Sequence, residues 1–173
     1  MVCSRHDLKL TATLHLAEYW FEMIPFHTLC PDLAQREVRV LLIGGPADAP
    51  PGPMPPAGEY AFVEFYCEDL DCDCRRAFLQ VMAKNQAGRV FASINCGWEK
   101  ESFYRKTMPW DKSAPKQVVR GSLDPLNAQS EYAQFFLEAF QKLVWDESYR
   151  LRLQRHHQVF REELKRQFRK QRW

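Results

Sequence analysis

Cys67-Glu-Asp-Leu-Asp-Cys72-Asp-Cys74 puts three thiols within eight residues, and this cluster constrains the chain more than any other feature. The remaining cysteines are Cys3, Cys30 and Cys96. The opening MVCSRHDLKL lacks the apolar run and small-residue cleavage site of a secretory signal. The expected compartment is therefore the cytoplasm, where disulfides are rare and clustered thiols serve metal or redox chemistry. Cys3 and Cys30 stand apart and read as inert, partly buried thiols.

The flanking pattern says how the cluster is held. Residues 59–67, EYAFVEFYC, are rich in aromatic and β-branched side chains and predict a strand. Residues 76–85 and 89–96 flank the turn Gln86-Ala87-Gly88, which predicts an antiparallel meander. On that meander Cys67 ends one strand, Cys72 and Cys74 lie in the next connection, and Cys96 ends the third strand at the same end of the sheet. Four sulfurs at one corner suit a tetrahedral Zn²⁺ ion, which thiolates bind well. The candidate ligands are thus Cys67, Cys72, Cys74 and Cys96. Arg75 and Arg76 stand ready to offset the negative charge of the thiolates and of Asp69, Asp71 and Asp73. A tight turn at 86–88 sets Cys96 opposite Phe78, about 13 Å from Cys74 at about 3.3 Å per residue. A wider turn or a bend at 97–100 has to close that gap; otherwise a His, a carboxylate or a water completes the shell.

Other chemistries leave specific marks. Asp69-x-Asp71-x-Asp73 imitates the start of a calcium loop, but Cys74 replaces the obligatory Gly and Gln80 the terminal Glu. The zinc-deaminase pair His-x-Glu and Pro-Cys-x-x-Cys is absent, as are His-Glu-x-x-His and Gly-x-Ser-x-Gly. Two alternatives stay open. An open zinc position would make a hydrolase, and Cys72 with Cys74 would make a redox pair if Arg75 and Arg76 lower a thiol pKa.

The chain has 173 residues, 46% of them apolar, which is enough for one domain with a sizeable core. Residues 7–16 alternate as a half-buried strand, with a helix from Leu14 to Met23 as the competing reading. Residues 37–43 predict a further strand. Residues 44–58 hold six prolines and four glycines and predict a loop. Residues 99–125 read as mostly loop. Residues 129–145 carry apolar side chains at helical spacing, with Ser130 as the N-cap. A last helix follows Asp146, with the stripe Tyr149, Leu153, His156, Phe160, Leu164 and Phe168. Strands followed by helices, without βαβ alternation, predict an α+β fold. Its small antiparallel sheet has the cysteine cluster at one corner and C-terminal helices over it. Residues 1–147 form the α+β domain, and 148–173 a basic helix packed on it. No stretch approaches the length of a membrane span.

The run Gly58-Glu59-Tyr60-Ala61-Phe62-Val63-Glu64-Phe65-Tyr66-Cys67, continuing into Cys72-Asp73-Cys74-Arg75-Arg76, resembles a family of uncharacterised bacterial proteins. So do Gln129-Ser130 and Tyr149-Arg150-x-Arg152-Leu153-x-Arg155-His156. The resemblance covers residues 58–165 and implies a recurring bacterial domain. An aromatic residue follows the histidine in that family, where this chain has His157.

Net charge is +2, yet residues 148–173 carry +7 and the rest −5. Arg150, Arg152, Arg155, Arg161, Lys165, Arg166, Arg169 and Lys170 are the candidate contacts for a polyanion, with nucleic acid favoured over a membrane surface. His156 lies on the apolar stripe and reads as a hydrogen-bonded core histidine. Trp98 and Trp110 would mark a recognition surface if exposed. The function expected is a non-catalytic zinc-binding module, the metal structural, doing adaptor or nucleic-acid-binding work for an unknown partner.

Overall fold

The computed structural model describes residues 23–44, 53–86, 88–127 and 129–170. The strand expected at 7–16 and its helical alternative, Cys3 and most of the Pro-rich loop lie outside these residues. The protein is α+β. Three long strands, β3 (Gly58–Cys67), β4 (Arg76–Ala83) and β5 (Val90–Gly97), form the expected antiparallel meander. Two short strands, β1 (Met23–Pro25) and β2 (Arg39–Ile43), both pair with the outer edge of β3. At the opposite edge, β6 (Ser122–Leu123) pairs with β5.

Between β1 and β2 the chain leaves the sheet as two short helices, α1 (Phe26–Leu29) and α2 (Pro31–Glu37). β1 covers Phe65–Cys67 of β3, and β2 covers Gly58–Phe62. Val63 and Glu64 therefore have no strand partner on this edge among the described residues.

Residues 99–125 are less irregular than their composition suggests. They contain α3 (Glu101–Thr107) and α4 (Ala114–Arg120) as well as β6. Each helix is only seven residues long, too short to show periodicity. Each drives a buried side chain, Tyr104 or Val118, into the space above Gly97, and α4 buries Pro115 as well. A Cβ on Gly97 would lie 2.7 Å from Val118 Cγ1.

The helix expected over 129–145 is interrupted. α5 (Ala133–Ala139) passes into a π-helical turn, Phe140–Val144. Ser130 does not cap it. Its hydroxyl donates instead to the Phe91 carbonyl on β5 and accepts the Tyr132 N–H at 3.1 Å. Beside it, Gln129 completes the edge of β5. Its Oε1 accepts the Ser93 N–H at 2.9 Å and its Nε2 donates to the Ser93 carbonyl at 3.1 Å, as a neighbouring strand would.

The long α6 (Glu147–Lys170) crosses the same sheet face. Tyr60, Phe62 and Tyr66 of β3, Leu79 and Val81 of β4, and Ile94 of β5 meet Phe136, Phe140, Tyr149, Leu153 and Phe160 from above. Alternation puts these strand residues on one face. Ring contacts join the layers, with Tyr60–Phe136 at 4.8 Å and Tyr66–Phe160 at 5.4 Å between centroids. Phe168, at the end of the expected stripe, is 48% exposed because the helix has run past the sheet. Among the described residues no helix is long and apolar enough to cross a membrane.

Candidate metal centre

Cys67 is the last residue of β3, and the chain then turns back toward β4. Within this connection Cys72 N–H donates to the Asp69 carbonyl at 3.2 Å, and Asp71 N–H to Asp69 Oδ1 at 2.8 Å. These turns fold the loop so that the sulfurs of Cys67, Cys72 and Cys74 all lie within 4.8 Å of one another. Arg75 then takes φ 45°, a left-handed conformation that costs a side-chain-bearing residue about 1 kcal/mol or more. Neighbours hold it there. The Tyr104 hydroxyl donates to the Arg75 carbonyl at 2.6 Å, and the Arg75 guanidinium pairs with Asp73 and Glu99 over the ring of Phe103.

The sulfurs share protons as one unit. Hydrogen bonds from Cys67 and Cys72 hold Cys74 far below the ordinary thiol range, helped by the charge and backbone N–H of Arg76. Cys72 is pushed up by the hydrogen bonds it gives to Cys67 and Cys74. Cys67 accepts the backbone N–H of Asp69. Two of the three sulfurs are thus met by the amide two residues further along. Such N–H···S contacts favour thiolate, the form that binds metal.

The loop is also tied to the last helix. Arg161 Nη1 donates to the carbonyls of Asp69 at 2.6 Å and Cys72 at 3.2 Å, and Nη2 donates to that of Leu70. One guanidinium fork therefore holds three carbonyls of the cysteine loop. His157 lies close by, its ring 5.2 Å from Trp98 and 5.6 Å from Tyr66, and the charges of Cys74 and Asp73 reach it. Burial outweighs them and holds His157 below its ordinary range.

Neither a family model, nor a curated protein, nor a solved structure matches the chain.

Cys96 is not brought to the cluster. It pairs with Ala77, not Phe78: the turn is wider than 86–88, pairing Met82 with Val90, and the register then shifts by one between Met82 and Val81. Side-chain alternation decides the rest. Cys96 shares the face of Ala77 and Tyr66, whereas Cys67 points from the other face. The Cys96 thiol is fully buried, 3.8 Å from the Ala77 carbonyl, and burial pushes its pKa well up. It is a core residue. Of the two arginines expected around the sulfurs, Arg76 faces Cys74 while the Arg75 side chain turns to carboxylates. All five described cysteines are free.

The basic residues of α6 fall into two groups. Arg161 is committed to the cysteine loop, Arg152 donates to the Glu37 carbonyl at 3.0 Å, and Arg155 pairs with the Glu37 carboxylate. Arg150 lies over the Trp145 ring at 4.8 Å. Lys165, Arg166, Arg169 and Lys170 are exposed, with Arg166 bonded to Glu163 at 2.8 Å. Trp110 is 75% exposed, whereas Trp98 packs on Tyr66 and His157.

His156 is 1% exposed, as its place on the stripe implies, but its partners were not foreseen. Its ring stacks on Phe26 at 4.6 Å, with Nδ1 2.8 Å from Glu64 Oε2 and Nε2 3.1 Å from Glu37 Oε2. The Tyr66 hydroxyl donates to the same Glu64 oxygen at 2.8 Å. One signal was available in the sequence. Glu64 shares strand parity with Tyr60, Phe62 and Tyr66, so an acid occupies a core position.

Proposed function

We propose that Cys67, Cys72 and Cys74 hold a zinc ion whose role is structural, in a bacterial, cytoplasmic binding module. The observation that carries this reading is the convergence of three sulfurs within 4.8 Å in a loop fastened to α6 by Arg161. Zinc joins the end of β3, the start of β4 and, through the Arg161 fork, the last helix. Binding energy at such a junction is folding energy. Three thiolates on Zn²⁺ leave a net charge of −1, which Arg76 and Arg161 offset. The fourth position falls to a water or another donor.

The three-sulfur shell also supports the hydrolase reading, because catalytic zinc keeps an open position. The structural role is preferred because the loop that carries the sulfurs is fastened by Arg161 to the last helix and lies between β3 and β4, where an ion would tie the fold together. Polyanion contact falls to the exposed end of α6 at Lys165, Arg166, Arg169 and Lys170. Neutralising all four should flatten the salt dependence of nucleic-acid binding by about one unit of slope per lost phosphate contact.

The deciding experiment is elemental mass spectrometry of protein purified without tags or chelators, with free thiols counted before and after chelation. One zinc per chain, three thiols released by chelation and a large fall in melting temperature support the structural site. Zinc that leaves without changing the melting temperature points to the open catalytic site. No metal, with Cys72 and Cys74 oxidised or reactive, makes thiol redox chemistry the function. Cys72→Ser should lose both metal and stability.

A further inference from the structure

We propose that the gap in the sheet edge between β1 and β2 is a binding site for a small apolar molecule carrying a neutral hydroxyl or amide N–H, with Glu64 as its acceptor. The gap is built by topology. Where α1 and α2 leave the sheet, they and the unpaired stretch Val63–Glu64 line a partly open cavity of about 300 Å³. Its walls are mostly apolar, among them Phe26, Ala34, Val38, Phe62 and Val63. Exposed His27 and Gln35 line it too, beside one buried polar group. A concave, mostly apolar space with a few placed polar groups is the usual form of a small-molecule site.

Glu64 supplies that group. Its side chain is only 5% exposed, and it lines the cavity. Oε2 is fully used, accepting from the Tyr66 hydroxyl at 2.8 Å and facing His156 Nδ1 at 2.8 Å. Oε1 has no hydrogen-bond partner among the described residues, and it is not among the side-chain atoms sealed from solvent. An unpartnered oxygen on a nearly buried carboxyl that lines an apolar cavity is an acceptor in want of a donor.

The network behind it selects the donor's charge. Both ring nitrogens of His156 face carboxylate oxygens, and an ionised carboxylate only accepts. The ring thus lies between Glu64 and Glu37, and Arg155 and Arg152 meet Glu37 from the other side. A charged ligand would have to shed its water to enter a mostly apolar space, and a carboxylate would also meet Glu64 head-on. A neutral O–H or N–H fits.

The test uses the full-length protein as purified, with 1-heptanol, heptanamide, methyl hexyl ether and heptanoate titrated by calorimetry and by amide chemical-shift mapping. Heptanol and heptanamide should bind, moving the amides of Ala34, Val63 and Glu64. The ether, which has no donor, should bind at least about tenfold more weakly, and heptanoate should not bind. Ala34→Phe, which fills the cavity without touching the Glu64 network, should abolish binding and leave metal content unchanged. Equal binding of alcohol and ether would overturn the role of Glu64. Preference for heptanoate, shifts elsewhere on the molecule, or no binding at about millimolar concentration would overturn the site. The ligand series on the unmodified chain decides the matter even if the variant misfolds. Failure here leaves the zinc reading untouched, since no cysteine of the cluster lines this cavity.

Discussion

Arg161 Nη1 lies 2.6 Å from the carbonyl oxygen of Asp69, joining positions 92 residues apart in the chain. With its bonds to Cys72 and Leu70 it makes the last helix part of the cysteine loop's scaffold. Lysine keeps the charge but not the planar fork, and a single ammonium cannot serve three carbonyls at these positions. Arg161→Lys should therefore weaken zinc binding by about 10- to 100-fold, the usual range when a group supporting metal ligands is lost. A chelator competition titration measures this, and unchanged affinity would show that the loop holds its shape alone.

Removing the last helix by truncation after Glu147 should leave an insoluble or molten chain. Tyr149, Leu153, His156, Phe160 and Leu164 are all buried against the sheet. Each apolar side chain among them contributes about 1.5–3 kcal/mol through burial, and a domain's whole stability is about 5–15 kcal/mol. A soluble truncated protein with a cooperative thermal transition would refute this.

Gly97→Ala should destabilise the protein by about 1–3 kcal/mol through overpacking. The new methyl would sit 2.7 Å from Val118 Cγ1 and against the Tyr104 ring, and neither can retreat from its buried place. Because Tyr104 also holds the Arg75 carbonyl, zinc affinity should fall with stability. Denaturant midpoints and metal titration on the same variant separate the two effects.

Acid should weaken the fold partly through Glu37. Burial pushes its carboxyl up, but the hydrogen bond from His156 and the charges of Arg155, His156 and Arg152 outweigh it and hold it below its ordinary 4.5. A carboxylate lowered in the folded state stabilises above its unfolded pKa, and that contribution is lost as pH falls through the folded value. Urea midpoints of the native chain should thus decline below about pH 4.5, and Glu37→Gln should show a shallower decline. Identical curves would remove Glu37 from the account.

Much of this architecture was legible in the letters. Alternation in EYAFVEFYC and the Gly88 turn gave the meander, and the threefold thiol cluster marked the loop that gathers the sulfurs. The fate of Cys96 was not legible, because a turn wider than 86–88 and a one-residue register shift near Val81 together exchange its partner, and pairing parity then sends it to the core. The two seven-residue helices after Gly97 were hidden for a different reason. Tertiary contacts to Tyr104 and Val118 hold them, and local pattern carries no trace of such contacts. The arginines of the tail looked like a surface charge. Three of them answer to partners on distant segments, Glu37 and the 69–72 loop, which sequence proximity cannot reveal.

The way Gln129 finishes the sheet bears on how this protein behaves at high concentration. Open sheet edges recruit strands from other molecules and seed aggregation. On the β5 side the described edge is a two-residue strand followed by a side-chain amide bonded to both backbone groups of Ser93. A foreign strand therefore finds no continuous ladder to extend. Gln129→Ala would free the Ser93 N–H, while the Asp124 N–H still holds the Ser93 carbonyl at 2.8 Å, and so would open a single donor on this border to a foreign strand.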